Sequence, residues 1–526
     1  MKVREHTPTH AAFPVEGAFA SPVASRQPLG ARRASLVTLR SSLRKPADPL
    51  VLGLFRIAFG VVMALSALRF IVLDWGPALY VEPVTRFAYP GFGWVPRPSA
   101  AVLDAVLWTQ VAAALGFAVG RGAKAWLLLF VASFTYVELL DATTYLNHYY
   151  FVSALGLLLL LLPMNAALVP GRPSWRVPAW TLGALRVHVG LVYFFAGVAK
   201  LHPDWLVDAQ PLRIWLAARG GMPVIGPLLD LWWMPWAMSW AGAAFDLTVA
   251  FLLWNRRSRP WAYAVAFAFH AATYVLFNIG VFPFVMMVAA LVFFEADQWR
   301  WLWRRVTSTV VHPRSPDAPD GVILSGIGAA EEFEELCPRG GGGSQGQHPS
   351  RTQSAEMRTR SFDSPGLAQD DTKMAALPLS RWPFALAAVL LAIQLAVPLR
   401  HWLYPGDRFW TEEGYRFAWH VMVAAKTGHA TFLVRDPATD RRWTILPSDD
   451  LTAFQEKEMV AQPDFIWQYA QHVERRFQAA GYDDVEVRAE VYVNLNGQDS
   501  RLLIDPDVDL TAVGRHVFSP KPWIYR

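Results

Sequence analysis

Apolar residues in this chain gather into runs instead of narrow stripes. Nine stretches, at 50–73, 101–120, 125–140, 149–169, 182–199, 236–254, 261–277, 281–296 and 382–399, carry few charges. Each is close to the ~20 residues that a helix needs to cross a hydrocarbon core. The pattern changes after residue 405, where charge is frequent and no run is long enough to span. Asp464 to Gly481 reads as an amphipathic helix, with Phe465, Tyr469, His472, Val473 and Phe477 on one side. Val485 to Asp505 alternates apolar and polar residues, and Asn496-Gly497 separates two such runs as a hairpin turn does. The expected fold class is mainly α: a polytopic transmembrane helical bundle of about nine spans with a small soluble β-rich C-terminal domain.

The same pattern divides the chain into a disordered basic N-terminal tail (1–48), a transmembrane helical domain (49–299), a disordered Gly/Ser-rich linker (300–380), a last transmembrane helix (381–404) and a soluble domain (405–526). Within the linker, residues 306–380 include Gly340-Gly341-Gly342-Gly343-Ser344 and too little apolar surface to order themselves. Cations in short loops set the orientation. The N-terminal arginines, Arg121, Lys124, Arg172, Arg176, Arg256, Arg257, Arg259 and Arg300 to Arg305 fall on one side of a nine-span arrangement, whereas loops 141–148 and 278–280 contain no Lys or Arg. That places the N-terminus in the cytoplasm and the C-terminal domain in the periplasm or outside the cell, as for a multi-pass protein of a bacterial inner or plasma membrane. Around Asn278-Ile279-Gly280 two readings stay open, a turn between helices or a break within one.

Composition supports lipid contact. Hydrophobic residues make up 53% and charged residues 17%, against about 25% charged in soluble domains. The 24 Trp and 15 Tyr suit the headgroup zone, where a ring and a polar tip are both accommodated. No nucleic-acid-binding signature accompanies the modest net charge of +5. The single cysteine, Cys337, excludes an intrachain disulfide and a thiolate-rich metal site. Residues 1–45 show no cleavable signal peptide, although their Arg-, Ser- and Ala-rich composition leaves an organelle transit peptide as an alternative. No pair of inverted halves with matched broken helices points to a transporter.

Polar residues inside apolar runs are expensive, at ~2.5 kcal/mol or more for a charge. Lys200 ends the run Tyr193-Phe-Phe-Ala-Gly-Val-Ala-Lys200-Leu-His202-Pro203-Asp204-Trp205. It either snorkels to the headgroups or serves as a desolvated base. His148, in Asn147-His148-Tyr149-Tyr150 with Glu138 and Asp141 upstream, is either a belt residue or an acid/base group. His270 and Asp246 lie mid-segment and are expected to pair across helices, with a site role secondary. The spacing of His148, His202 and His270 matches no zinc motif, so no metal is expected. Asn278 to Phe284 combines Gly280 and Pro283 in apolar sequence, which marks either a pocket or a tight turn.

At these residues the chain resembles vitamin K-dependent γ-glutamyl carboxylase and the membrane proteins that share its transmembrane domain. The matching stretches are Leu54-Phe-Arg56-Ile57-Ala-Phe-Gly60, Asn147-His148-Tyr149-Tyr150, Tyr193 through Trp205, Phe245-Asp246-Leu247, Phe269-His270 and Leu276 through Pro283. Beyond the linker follow Trp410-Thr-Glu-Glu-Gly-Tyr415, Pro463-Asp464 with Gln468-Tyr469-Ala470, Val491 through Gly497 and Asp505-Pro506. The resemblance covers roughly residues 50–300 and 381–510. It implies that a vitamin K hydroquinone (or related reduced quinone) reacts with O2, that the resulting base removes a γ-proton from a glutamate, and that CO2 captures the carbanion. The initiating base falls on Lys200, and a second catalytic group on His148. Tyr193, Asp246, His270, Asn147 and Asn278 are the cofactor-binding candidates. Expected partners are membrane lipid and a Glu-containing protein or peptide, with no nucleic acid. The inter-segment disulfide of the animal enzymes has no counterpart here. Two other readings are a quinone- or lipid-modifying oxidoreductase without a peptide substrate and a non-catalytic membrane binding protein.

Overall fold

Residues 41–277, 279–311 and 381–526 are described by a computed structural model, with side chains 308–311 excepted. The fold falls into two units, Met1–Lys45 and Pro46–Arg526, and the second holds every element below. The N-terminal tail and the Gly/Ser-rich linker lie almost wholly outside the described residues.

Each of the nine apolar stretches contains helix: α1 Leu50–Val72, α2 Ala100–Val119, α3 Ala123–Glu138, α4 Asn147–Leu161, α5 Ala179–Ala199, α6 Met234–Trp254, α7 Arg259–Leu276, α8 Phe282–Ala290 and, after α9 (Ala296–Val311), α10 Arg381–Ala396. Among the described residues five helices have the length and composition to cross a membrane: α1, α2, α5, α6 and α10 with its 3-10 extension to Leu403. A sixth is counted if Phe282–Phe293 and Ala296–Thr307, bent by 107°, form one span. The shortfall from nine has local causes. Helices α3 and α4, of 16 and 15 residues, reach only ~24 Å and ~22 Å at the α-helical rise. Arg259, Pro260 and His270 dilute the hydropathy of α7. The predicted helix 149–169 stops at Leu161, because Pro163 disfavours helical backbone just before it. Among the described residues, 277 and 279–281 are non-helical, with Gly280 at φ 62°, so α7 ends at Leu276 and α8 begins at Phe282 as separate helices.

Small residues and one arginine set the packing. In α1, a Cβ on Gly60 would sit 2.6 Å from the Ala114 carbonyl oxygen of α2, so the two backbones meet there. One turn earlier Arg56, fully buried, donates to the carbonyls of Ala118 (3.2 Å), Val119 (3.5 Å), Met164 (2.8 Å), Ala167 (3.0 Å) and Leu168 (2.7 Å). These are acceptors that the end of α2 and the irregular 162–168 segment would otherwise leave unpaired. Gly197 of α5 likewise approaches α6, where its Cβ would lie 2.7 Å from the Leu247 nitrogen. Leu65, Trp108, Leu128, Phe251 and Val265 point outward, exposed by 54% or more, as lipid-facing side chains are.

The C-terminal region carries a four-stranded antiparallel sheet, β3 Lys426–Asp436, β4 Arg441–Ile445, β5 Glu486–Leu495 and β6 Arg501–Leu502, in the order β4-β3-β5-β6. (A two-residue pair, β1 Pro46–Ala47 with β2 Val177–Pro178, lies apart.) Alternate residues of β5, from Val487 to Leu495, are buried against helices α11 Ala453–Ala461 and α12 Pro463–Ala479. Helix α12 matches the amphipathic pattern through Phe465, Tyr469, Val473 and Phe477. His472 departs from it, lying beside Thr85 Oγ1 at 3.3 Å. The turn begins at Asn496 and Gly497, both at positive φ (53° and 77°), as the Asn-Gly pair suggested. Strands β3 and β4 had no comparable turn signal and were not singled out. One apolar core runs from this domain into the helices, through Phe409, Trp410, Phe465, Phe87, Trp205 and Ala199.

Candidate functional site

Helix α5 is apolar from Leu191 to Ala199 and stops at Lys200, whose N–H closes a turn onto the Gly197 carbonyl at 3.0 Å. The side chain does not snorkel. Lys200 is 5% exposed, and its Nζ donates to Asp246 Oδ2 at 2.8 Å and to the Ala196 carbonyl at 3.3 Å. Asp246, also 5% exposed, is carried by α6 at the point where Gly197 lets that helix come close. The ammonium stands 5.2 Å from the Trp205 ring centre. Trp205 is itself fixed by its indole N–H to the Ser239 carbonyl (2.8 Å) and by the Ser239 hydroxyl on its own carbonyl.

This ion pair forms one wall of a cavity of about 90 Å³. Tyr193, Ala196, Trp205, Leu212, Trp215, Phe269, Phe277, Phe282 and Met286 supply an apolar lining, and Val421 and Met422 reach in from beyond α10. In the same lining, Tyr193 Oη and His270 Nε2 are 2.9 Å apart. The other imidazole nitrogen, Nδ1, is buried with no hydrogen-bond partner, an unusual state for such a group. The cavity therefore presents a cation–carboxylate pair, a phenol–imidazole pair with one unused nitrogen, and aromatic walls.

The sequence candidates separate into groups. Lys200, Asp246, Tyr193 and His270 line this cavity together. His148 does not line it: its ring packs on Tyr149 (4.5 Å between centroids) and on Phe282 (5.7 Å), whose other neighbour is His270 (6.1 Å). Asn147 is turned elsewhere, accepting from the Tyr145 hydroxyl (3.0 Å) and donating to the His420 carbonyl (3.1 Å) at the wall of a different cavity. Its amide is committed to holding the C-terminal domain. Asn278 lies outside the described residues. Among the described residues no three His, Cys, Asp or Glu side chains are grouped as a metal requires, so His148, His202 and His270 do not converge. Sequence reasoning missed Trp205 as a wall, although it stood in the quoted motif, and missed Val421 and Met422, for which no local signal existed.

Just past Lys200 the chain turns through His202 and Asp204. Asp204 accepts from Asn496 at 2.7 Å, and His202 Nδ1 lies 3.4 Å from its other oxygen. The bond with His202 holds the Asp204 carboxyl below its ordinary range.

Two family models match the chain. Residues 44–299 match the HTTM domain, and residues 379–526 match the lumenal domain of vitamin K-dependent gamma-carboxylase. No solved structure matches it. With its apolar helices, this makes the chain an integral membrane protein. The Lys200 cavity lies between the two matched regions, lined by α5 to α8 on one side and by Val421 and Met422 on the other. The chain belongs to the carboxylase-like family that joins an HTTM domain to a vitamin K-dependent gamma-carboxylase lumenal domain.

Proposed function

We propose that this protein is a vitamin K-dependent carboxylase-like enzyme and that Lys200 is its initiating base. The observation that carries the reading is the burial of Lys200 beside Asp246 in an aromatic-walled cavity. Apolar aromatic walls with two separate polar pairs, Lys200–Asp246 and Tyr193–His270, suit an aromatic diol ring. When bound, a reduced naphthoquinone supplies with O2 the strong base that removal of a glutamate γ-proton requires.

The protein's part is proton handling and shielding. Lys200 first releases the proton it holds in the ion pair, and the uncharged amine then accepts one from a phenolic oxygen, a group that titrates near ~10 in water. Asp246, 2.8 Å away, then stabilises the ammonium that forms. Tyr193 and His270 orient the other ring oxygen, and the aromatic walls exclude water that would quench a strong base or a carbanion. His148, behind Phe282, is the proposed second catalytic group, and CO2 and a Glu-containing protein or peptide are the proposed co-substrates.

The test is epoxide formation from a reduced naphthoquinone by purified protein, with and without a glutamyl peptide. Lys200→Ala should abolish it in protein that still elutes at the wild-type volume, and an added small amine should restore part of it. Wild-type turnover in Lys200→Ala defeats the assignment.

The proposed topology has nine crossings, a cytoplasmic N-terminus and residues 405–526 on the outer side. In a Cys337→Ser background, Phe518→Cys, at a position 88% exposed, should react with a membrane-impermeant maleimide in intact cells. Labelling only after lysis reverses the orientation.

A further inference from the structure

The tip of the β5–β6 hairpin reaches the segment that follows Lys200. Asn496 is 3% exposed and adopts φ 53°, and its side-chain amide and backbone N–H are all in use. Its Nδ2 donates to Asp204 Oδ2 at 2.7 Å, its Oδ1 accepts from the Ala425 N–H at 2.9 Å, and its own N–H donates to the Ala425 carbonyl at 2.8 Å. Both partners lead directly to the Lys200 cavity. Asp204 precedes Trp205, one wall, and Ala425 lies three residues beyond Met422, another. Gly497 continues the contact, since a Cβ there would lie 3.4 Å from Ile214 Cδ1.

We propose that Asn496 is a positioning residue that clasps two walls of the Lys200 cavity, so that the C-terminal domain sets where the amine and Trp205 stand. A packing role alone would need only the turn, which glycine at this φ also supplies. The side chain does more: one amide satisfies a carboxylate on the helical side and a backbone N–H on the strand side. Asp204 sits beside His202 and is held charged by it, so the donor it needs is a neutral amide or a cation. A carboxylate at position 496 would keep the bond to Ala425 and set two like charges against each other. Exchanging the two residues, Asp204→Asn with Asn496→Asp, reverses the donor and acceptor and rebuilds the bond.

The consequence for catalysis rests on the function proposed above, but the clasp itself is tested without turnover. Full-length protein in nanodiscs is followed by hydrogen–deuterium exchange over residues 200–210. Asn496→Asp should speed exchange there by about tenfold, and the double exchange should return it to within about threefold of wild type. Asn496→Gly keeps the backbone conformation and should resemble Asn496→Asp, which separates the clasp from a folding defect. If the protein forms epoxide, kcat should fall in Asn496→Asp more than KM rises, and recover in the double variant. Equal exchange in all variants, or a double variant no better than the singles, overturns the clasp. Absence of turnover in the wild type together with the expected exchange pattern leaves the clasp standing and removes the function reading.

Discussion

A lysine at a helix end acquires its meaning from the one carboxylate placed against it. Lys200 and Asp246 are each 5% exposed and 2.8 Å apart. Taking away one partner of such a pair strands the other charge, at a cost of roughly 3–5 kcal/mol. Lys200→Met and Asp246→Leu should therefore each lower the unfolding midpoint in detergent, and Lys200→Met combined with Asp246→Leu should lower it less than either alone. Additive losses in that cycle would show that the two side chains do not interact. The residue scale is also where the sequence was most informative. Charge inside an apolar run is conspicuous, so Lys200, Asp246 and His270 stood out in the sequence. Trp205 did not, because an aromatic near a membrane surface is ordinary.

At the scale of elements, helix α1 is held by what it lacks at Gly60 and by what it carries at Arg56. A branched side chain at 60 would meet the Ala114 carbonyl and the Ala118 methyl, at 2.6 and 2.8 Å from its Cβ. Gly60→Val should cost about 1–3 kcal/mol by overpacking, read as a lower unfolding midpoint. Val61→Leu, one residue along and 41% exposed, should be near neutral. Arg56→Met should be worse than either, since it leaves five carbonyl groups without their donor, three of them in buried bonds. The existence of these helices was legible from apolar runs, and the turn at Asn496-Gly497 from its residue types. Helix ends were less so: the stop at Leu161 depends on Pro163, and the irregular chain beyond it is tolerated only because Arg56, a hundred residues earlier, takes its carbonyls.

Over the whole molecule, the C-terminal domain and the helices share a core and a seam of polar contacts. Tyr145 accepts from the Phe417 N–H (2.9 Å), Gln455 donates to Asp141 (2.9 Å) and Arg408 donates to the Ala199 carbonyl (3.3 Å). His420 sits in this seam, 2% exposed, and burial pushes its imidazole down to about 3. The unfolded chain takes up a proton near ~6.5 and the folded one does not, so stability rises with pH across this window. It is fully present above about 6.5 and is lost as pH falls toward 3, by up to a few kcal/mol. The unfolding midpoint should drop between pH 7 and 4.5, with a shallower slope in His420→Asn, which keeps a donor for the Tyr415 carbonyl but cannot titrate. An unchanged slope would place the acid sensitivity elsewhere.

Apolar run length and charge placement, both local properties, determined from sequence that the chain enters a membrane, where its helices lie and that a different kind of domain follows them. They also exposed the polar groups that a bilayer makes costly. Which of those groups meet was decided only in three dimensions. Lys200 and Asp246 are 46 residues apart and pair because Gly197 lets α5 and α6 close. His148 and Asn147 were drawn away, one behind Phe282 and the other to the His420 carbonyl, by rings and backbone distant in sequence. Met422 comes to the cavity, and Asn496 to Asp204 beside it, from the far side of the last helix, and no local pattern encodes a meeting of surfaces that only the packed core brings together.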